Sequence, residues 1–217
     1  DISNEAFPFM ACGEVTVCGG MPARLFRISF SGELAFEVAV PARYGNAMMD
    51  VLMEAGREFN AVPYGTEALG VMRIEKGHAA GNELNGQTTA HNLGMGRMVS
   101  QKKDCIGNVL SQRPEMIRED AMKLMGFKPV NPAEHLTAGA HFINRNAVAN
   151  MDNDQGWMTS VAYSPSLGHS IGLGFVKSGD TRKGEIIRAV SPVHGKEVEV
   201  EIVSAHFIDP EGERLRA

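Results

Sequence analysis

The spacing of apolar side chains changes twice along the chain, and each change marks a different kind of structure. In Arg24-Leu25-Phe26-Arg27-Ile28-Ser29-Phe30 and again in Phe36-Glu37-Val38-Ala39-Val40-Pro41, apolar residues alternate with others. That is the period of a half-buried strand. Ser31-Gly32-Glu33-Leu34-Ala35 lies between them, so residues 24–40 are predicted to form a hairpin that carries an acid on a tight turn. Residues 1–23 read as a strand segment and turn with two Gly-rich corners. From Ala42 to Phe59 the period lengthens. Tyr44, Ala47, Met48, Val51, Leu52 and Ala55 fall on one helix face, Gly56 sits near its end, and Met48, Met49 and Met53 are expected to fill core. After Pro63, Thr66 is placed to cap a second helix that runs to about Lys76 and stops at Gly77. Asp104 is placed to cap a short helix from Cys105 to about Gln112, which Pro114 ends.

A boundary follows between Pro114 and Glu119. Beyond it, Ala121–Val130, Thr137–Ile143, Gly156–Tyr163, Ile171–Val176, Glu185–Ala189 and Glu197–Phe207 read as short strands punctuated by Gly and Pro, which predicts a small barrel or sandwich. Val198, Val200 and Ile202 alternate with Glu197, Glu199 and Glu201, as in a half-buried edge strand. The acidic run Asp152-Asn153-Asp154 lacks the glycine and the closing glutamate of a calcium loop, so residues 144–155 read as a hairpin tip. The expected division is therefore residues 1–114 and 115–217.

Composition narrows the function classes. The 217 residues, 43 % apolar, suffice for a packed globular unit. Net charge is −5 and no basic block exceeds Lys102-Lys103, which argues against nucleic-acid binding. No apolar run approaches the roughly 18 residues of a membrane span. Cys12, Cys18 and Cys105 are odd in number and lack Cys-x-x-Cys spacing, so they read as reduced thiols of a cytoplasmic protein. The histidines lack metal-ligand spacing, and no metal site is expected. Gly172-Leu173-Gly174 has neither the third glycine nor the helix of a dinucleotide fingerprint.

Candidate chemistry concentrates at the first hairpin. A carboxylate at Glu33 is either a solvated turn acid or an acceptor for two parallel N–H groups, such as the amidine-like edge of a heteroaromatic ring. Phe30 is either a wall for such a ring or core, beside Phe26 and Ile28 on one strand face. Arg73 is either a partner for Glu75 or another acid, or a brace for a binding cleft.

Several blocks carry a family resemblance. Ser31-Gly32-Glu33 followed by Phe36-Glu37-Val38 resembles the Tyr-Thr-Gly-Glu-Asp-Gly-Phe-Glu block of the folate-dependent aminomethyltransferases, the glycine-cleavage T-proteins and their relatives. Met72-Arg73-Ile74-Glu75-Lys76-Gly77, Gly81-Asn82-Glu83-Leu84 with Thr89 and Gly94-Met95-Gly96, Lys102-Lys103-Asp104-Cys105-Ile106-Gly107, and Ser164-Pro165 leading into Ile171–Val176 resemble further blocks of that family in the same order. Pro63–Gly70 and His91–Arg97 resemble the folate domain of the sarcosine oxidase α-subunit branch.

The resemblance implies an α+β chain: the C-terminal part of an aminomethyltransferase-like folate-binding fold, followed by a small antiparallel β-barrel. It implies that Glu33 grips the pterin of tetrahydrofolate, with Phe30, Arg73 and Tyr163 as further cofactor-binding positions. From the residues alone, Tyr163 reads equally as a strand-end residue with its hydroxyl in water. In that branch the whole enzyme demethylates sarcosine to glycine and captures the one-carbon unit on tetrahydrofolate. FAD, FMN, NAD and zinc are expected elsewhere in it, not on these residues. Implied partners are the β, γ and δ subunits and the rest of the α subunit, with no nucleic acid and no membrane. A free-standing aminomethyltransferase or demethylase, or a folate-binding module without turnover, stays open.

Four positions depart from the family: Phe30 stands for its Tyr, Leu69-Gly70 for an Arg-Asp pair, and Arg97 for a Trp. The chain also opens on Asp1-Ile2-Ser3, which resembles an internal segment, with the family's catalytic Asp expected upstream. The segment by itself is therefore expected to be inactive.

Overall fold

A computed structural model describes residues 1–100 and 102–217. The chain forms two compact units: residues 1–72 with 209–217, and residues 73–208.

In the first unit, β1 (Cys12–Val17) and β2 (Met21–Phe26) pair antiparallel from Cys12 opposite Phe26 to Val17 opposite Met21. Cys18, Gly19 and Gly20 make the turn with positive φ at all three residues. β3 (Glu37–Ala39) joins the other edge of β2 over only three residue pairs, from Arg24 opposite Ala39 to Phe26 opposite Glu37. The predicted hairpin is therefore present, but its turn is not tight. Residues 27–36 form a loop outside the strands, and Arg27 at its start is turned into the interior. Its side chain is 1 % exposed. Its guanidinium donates to the carbonyls of Phe7 (2.9 Å) and Ala217 (2.7 Å), and its own backbone bonds Met10 and Ala11. A charge this deep needs such partners.

Helix α1 (Gly45–Gly56) lies within the predicted span, flanked by single 3₁₀ turns at Ala42–Tyr44 and Arg57–Phe59. Its expected buried face is a correction. Of the six stripe residues only Met48 is buried, whereas Val51 and Leu52 are nearly half exposed, as is Met49. The period dictates the helix; it does not dictate what covers it. Helix α2 (Thr66–Lys76) ends where predicted, at Gly77 with φ +79°.

In the second unit, α3 spans only Asn108–Ser111 and starts after Gly107 at φ +90°. Asp104 does not cap it: the carboxylate accepts from the N–H of Cys105, its immediate neighbour. Six strands follow, one for each predicted: β4 (Met122–Pro129), β5 (His141–Asn144), β6 (Asp154–Ser164), β7 (His169–Lys177), β8 (Ile186–Ser191) and β9 (Lys196–Val203). They close into an antiparallel barrel in the order β4-β7-β6-β5-β8-β9. Strand β9 is thus not an edge, since it pairs with β8 on one side and β4 on the other.

The barrel interior holds Phe127, Phe142, Met158, Ile187, Val200 and Ile202, all 0 % exposed, with the rings of Phe127 and Phe142 stacked at 4.1 Å. Burying each such side chain contributes about 1.5–3 kcal/mol. Gly172 and Gly174 make the room: a Cβ on the first would strike Met158 Sδ, and on the second would crowd Phe142. On the outer face Ile171 and Leu173 pack against Ile74 in the last turn of α2. The acids of β9 each meet a cation, Glu197 with Arg188 (2.6 Å), Glu199 with Arg145 (2.7 Å) and Glu201 with Lys128 (3.0 Å). Exposed pairs of this kind add little apiece, so the apolar interior dominates.

A further pair ties the turn before β8. Arg182 grips both carboxylate oxygens of Glu185 at 2.7 and 2.8 Å and also donates to Asn144 and to the carbonyl of Lys177. The Arg182 hydrogen bonds hold the Glu185 carboxyl below its ordinary range. Because the folded value is the lower one, this stabilisation is present above the unfolded Glu range and is lost as pH falls through the folded value. Thermal melts of the full-length protein between about pH 5 and pH 3 are expected to show a steeper loss of stability in the parent than in Glu185→Gln. Parallel curves would contradict this role.

Candidate functional site

The loop 27–36 builds the first candidate surface. Ser29 Oγ accepts from the N–H of Gly32 at 2.8 Å, and Gly32 adopts φ +89°, so the chain bends back on itself just before Glu33. That bend, rather than a strand end, presents the side chains. Phe30 is 39 % and Leu34 50 % exposed. Phe30 is therefore a loop residue and does not share a strand face with Phe26 and Ile28, as the alternation suggested. Phe36 is held beneath the Arg27 guanidinium, 5.9 Å from ring centre to cation.

The Glu33 side chain is 53 % exposed, and its Oε1 accepts from Arg214 at 3.2 Å. An ion pair this open contributes at most about 1 kcal/mol, so a ligand can take the arginine's place at little cost. A half-exposed carboxylate on the same loop as an exposed ring suits a flat molecule with paired N–H donors on one edge.

Arg73 and Tyr163 belong to the second unit, and Glu33 and Phe30 to the first. Arg73 stands at the start of the last turn of α2, its side chain 14 % exposed and turned inward. It pairs with Glu83, not with Glu75: Nη1 lies 3.0 Å from Glu83 Oε2, and Nη2 donates to Ser160 Oγ at 2.7 Å. Glu83 is fully buried. Its Oε2 also accepts from the N–H of Ala80 at 2.9 Å, and its Oε1 accepts from Ser160 Oγ at 2.6 Å and from Thr159 Oγ1.

Neighbouring residues of a strand point to opposite faces, yet Thr159 and Ser160 both reach one carboxylate. A β-bulge permits it. Met158 lies opposite Gly174 and Ser160 opposite Leu173, which leaves Thr159 as the extra residue, its single hydroxyl proton shared between Glu83 and the Leu173 carbonyl. Four residues further along β6, Ser164 Oγ donates to the buried Glu75 carboxylate at 2.5 Å. Tyr163, between these two anchors, is 52 % exposed and lies opposite Ser170 of β7.

Glu75, Glu83, Thr159, Ser160 and Arg27 were not singled out as functional positions by the sequence. One signal was available: Glu75 and Glu83 sit in apolar or Gly-rich blocks where a lone acid must find a buried donor. Among the described residues no group of three His, Cys, Asp or Glu side chains is placed to hold a metal ion. No helix among them is long and apolar enough to cross a membrane.

Two family models cover most of the chain. Residues 1–103 match the GCVT N-terminal domain, and residues 123–209 match the glycine cleavage T-protein C-terminal barrel domain. The chain belongs to the glycine-cleavage T-protein family. Within that family it is 45 % identical over 217 residues to the sarcosine oxidase subunit alpha of Rhizobium meliloti (strain 1021), and 42 % identical to that of Corynebacterium sp. (strain U-96). These matches take in 99 % of this chain and 22 % of each relative, so the chain spans about a fifth of their length. It is 30 % identical over 195 residues to the aminomethyltransferase of Halothermothrix orenii (strain H 168 / OCM 544 / DSM 9562), across 87 % of this chain and 51 % of that protein. The fold of the T-protein family is also seen in the crystal structure of the glycine cleavage system aminomethyltransferase T from Bartonella henselae, with a TM-score of 0.76 at 21 % identity, over 96 % of this chain and 55 % of that one.

The buried network makes a sharp prediction. Arg73→Ala leaves Glu83 charged and without its cation, and is expected to cost about 3–5 kcal/mol. Denaturant unfolding of the full-length protein measures it, and an unchanged midpoint would remove the pair from the fold's foundations.

Proposed function

We propose that this chain is the tetrahydrofolate-binding part of a sarcosine oxidase α subunit. The observation that carries the reading is the 41–45 % identity to such subunits along essentially the whole chain. The half-exposed Glu33 carboxylate, on the block that resembles the family's pterin-gripping motif, gives that identity a chemical focus.

In this reading the whole enzyme oxidatively demethylates sarcosine to glycine. Tetrahydrofolate, when bound, supplies the nitrogens that take up the one-carbon unit as 5,10-methylenetetrahydrofolate; without it the unit leaves as formaldehyde. Glu33 exchanges Arg214 for two ring N–H donors and so fixes the orientation of the pterin. Phe30 covers one ring face through dispersion and stacking, without the hydrogen bond a Tyr would add. Tyr163 stands by the folate tail. Arg73, whose donors are directed at Glu83 and Ser160, acts as a brace and not as a direct contact. Holding the acceptor ready favours capture over hydrolysis, because an oriented acceptor has a high effective concentration.

Residues 1–114 form the partial folate-binding domain and 115–217 the barrel domain of this proposal. FAD, FMN, NAD and zinc are held by other parts of the enzyme, which assembles with β, γ and δ subunits in the cytoplasm. This reading assigns no catalytic residue within residues 1–217, which by themselves are expected to give no turnover.

In the intact enzyme, Glu33→Ala is expected to weaken tetrahydrofolate binding by more than roughly tenfold, the scale of a lost charge-assisted pair of hydrogen bonds. Sarcosine oxidation should continue and formaldehyde should replace the methylene product. A dissociation constant that does not change would take Glu33 out of the site. Folate binding with no sarcosine oxidation in the parent enzyme would reject the oxidase reading but leave the folate reading intact.

A further inference from the structure

A cavity of about 310 Å³ lies wholly within the barrel unit. Its wall is made by four segments: Gly77 and His78 after α2, the loop His91–Met95, the start of β4 at Lys123–Met125, and the stretch Ser204–His206 after β9, with Asp180 and Lys183 at the rim. Three imidazoles and two ammonium groups therefore converge on one concavity of a chain whose net charge is −5.

The wall is held in place by its own bonds. Asn92, 5 % exposed, donates to the carbonyl of Met122 at 2.7 Å, while its backbone carbonyl accepts from Leu124 at 2.8 Å, which fixes the 91–95 loop to β4. Gly77 passes so close to Ala205 and His206 that a Cβ would strike the Ala205 carbonyl, and its φ of +79° is itself a glycine conformation. A cavity whose walls are tied in this way needs little reorganisation to receive a ligand.

The donors are available. His206 Nδ1 lies 2.8 Å from the carbonyl oxygen of Lys76, and a carbonyl can only accept, so Nδ1 carries the proton; Nε2 accepts from a ligand hydroxyl such as that of hydrogen phosphate, and donates to the anion once the ring is protonated. Lys123 makes one long bond, 3.4 Å to the His91 carbonyl, and keeps its other N–H groups. Lys183 has no hydrogen bond or ion pair among the described residues. Two ammoniums face one carboxylate, Asp180, so the excess charge is positive before any imidazole is protonated. A metal cation is not what this geometry suits, since no three of its His and Asp groups stand close enough to share one.

We propose that this cavity binds a small dianion, a phosphate or dicarboxylate group, through Lys123, Lys183 and His206. The proposal is independent of folate recognition at Glu33, and the experiment keeps the two apart. The full-length protein is titrated calorimetrically at matched ionic strength with inorganic phosphate and, separately, with glutarate. Saturable one-site binding of at least one probe is expected, and which probe binds identifies the source of the charge. The Lys123→Ala/Lys183→Ala variant is expected to bind it roughly tenfold more weakly. Lys183→Glu, at an exposed position whose loss breaks no internal bond, is expected to weaken it at least as much while leaving tetrahydrofolate affinity unchanged, and decides the matter if the double variant does not fold. Absence of saturable binding by both probes, or equal affinity in the parent and in Lys183→Glu, overturns the proposal.

Discussion

The carboxylate of Glu83, 0 % exposed, is the group around which the barrel unit is arranged. A buried anion is costly unless its partners are complete, and here they come from three places in the sequence. The N–H of Ala80 is local, Arg73 lies ten residues back, and the hydroxyls of Thr159 and Ser160 lie more than seventy residues ahead. Satisfying one acid thus fixes the last turn of α2, the 3₁₀ turn at Gly81–Glu83 and the middle of β6 together. It also explains the bulge at Thr159, because a regular strand could not give two successive hydroxyls to one carboxylate.

The bulge has consequences along the strand. It resets the alternation of β6, after which Ser164 faces Glu75 and Tyr163 faces outward. The exposed tyrosine is therefore coupled to a structural acid that it does not touch. The same economy governs β7, where Gly172 and Gly174 yield interior volume to Met158 and Phe142 while Ile171 and Leu173 bury the opposite face against Ile74. Closure then removes every edge from the sheet, which leaves the glutamates of β9 as a solvated outer row paired with cations from neighbouring segments.

The two acids of greatest interest differ in what surrounds them. Glu83 is committed, with each oxygen already bonded to two donors, so it serves the fold. Glu33 pairs with one solvent-exposed arginine, so it is free to exchange partners. Both lie in blocks that resemble the same family, and position in a motif does not separate a structural role from a binding one; burial and partner count do.

The period of apolar residues determined the first helix and the inward set Val198, Val200 and Ile202, since these follow from local geometry of 3.6 or 2 residues per repeat, while cap and stop residues delimited the helix 66–76 and Gly and Pro punctuation the six strands after residue 121. The order of the family-like blocks determined the fold class. Tertiary structure alone decided that β9 has two neighbours, that Arg27 is buried where residues 27–36 form a loop, that Asp104 caps nothing, and that Arg73 answers to Glu83 rather than Glu75. Asp104 is an exposed acid that bonds its immediate neighbour; each of the other outcomes rests on satisfying a buried charge or an open strand edge with groups distant in sequence. A one-dimensional pattern records which side chains need partners, and only the folded chain settles which partners come within reach.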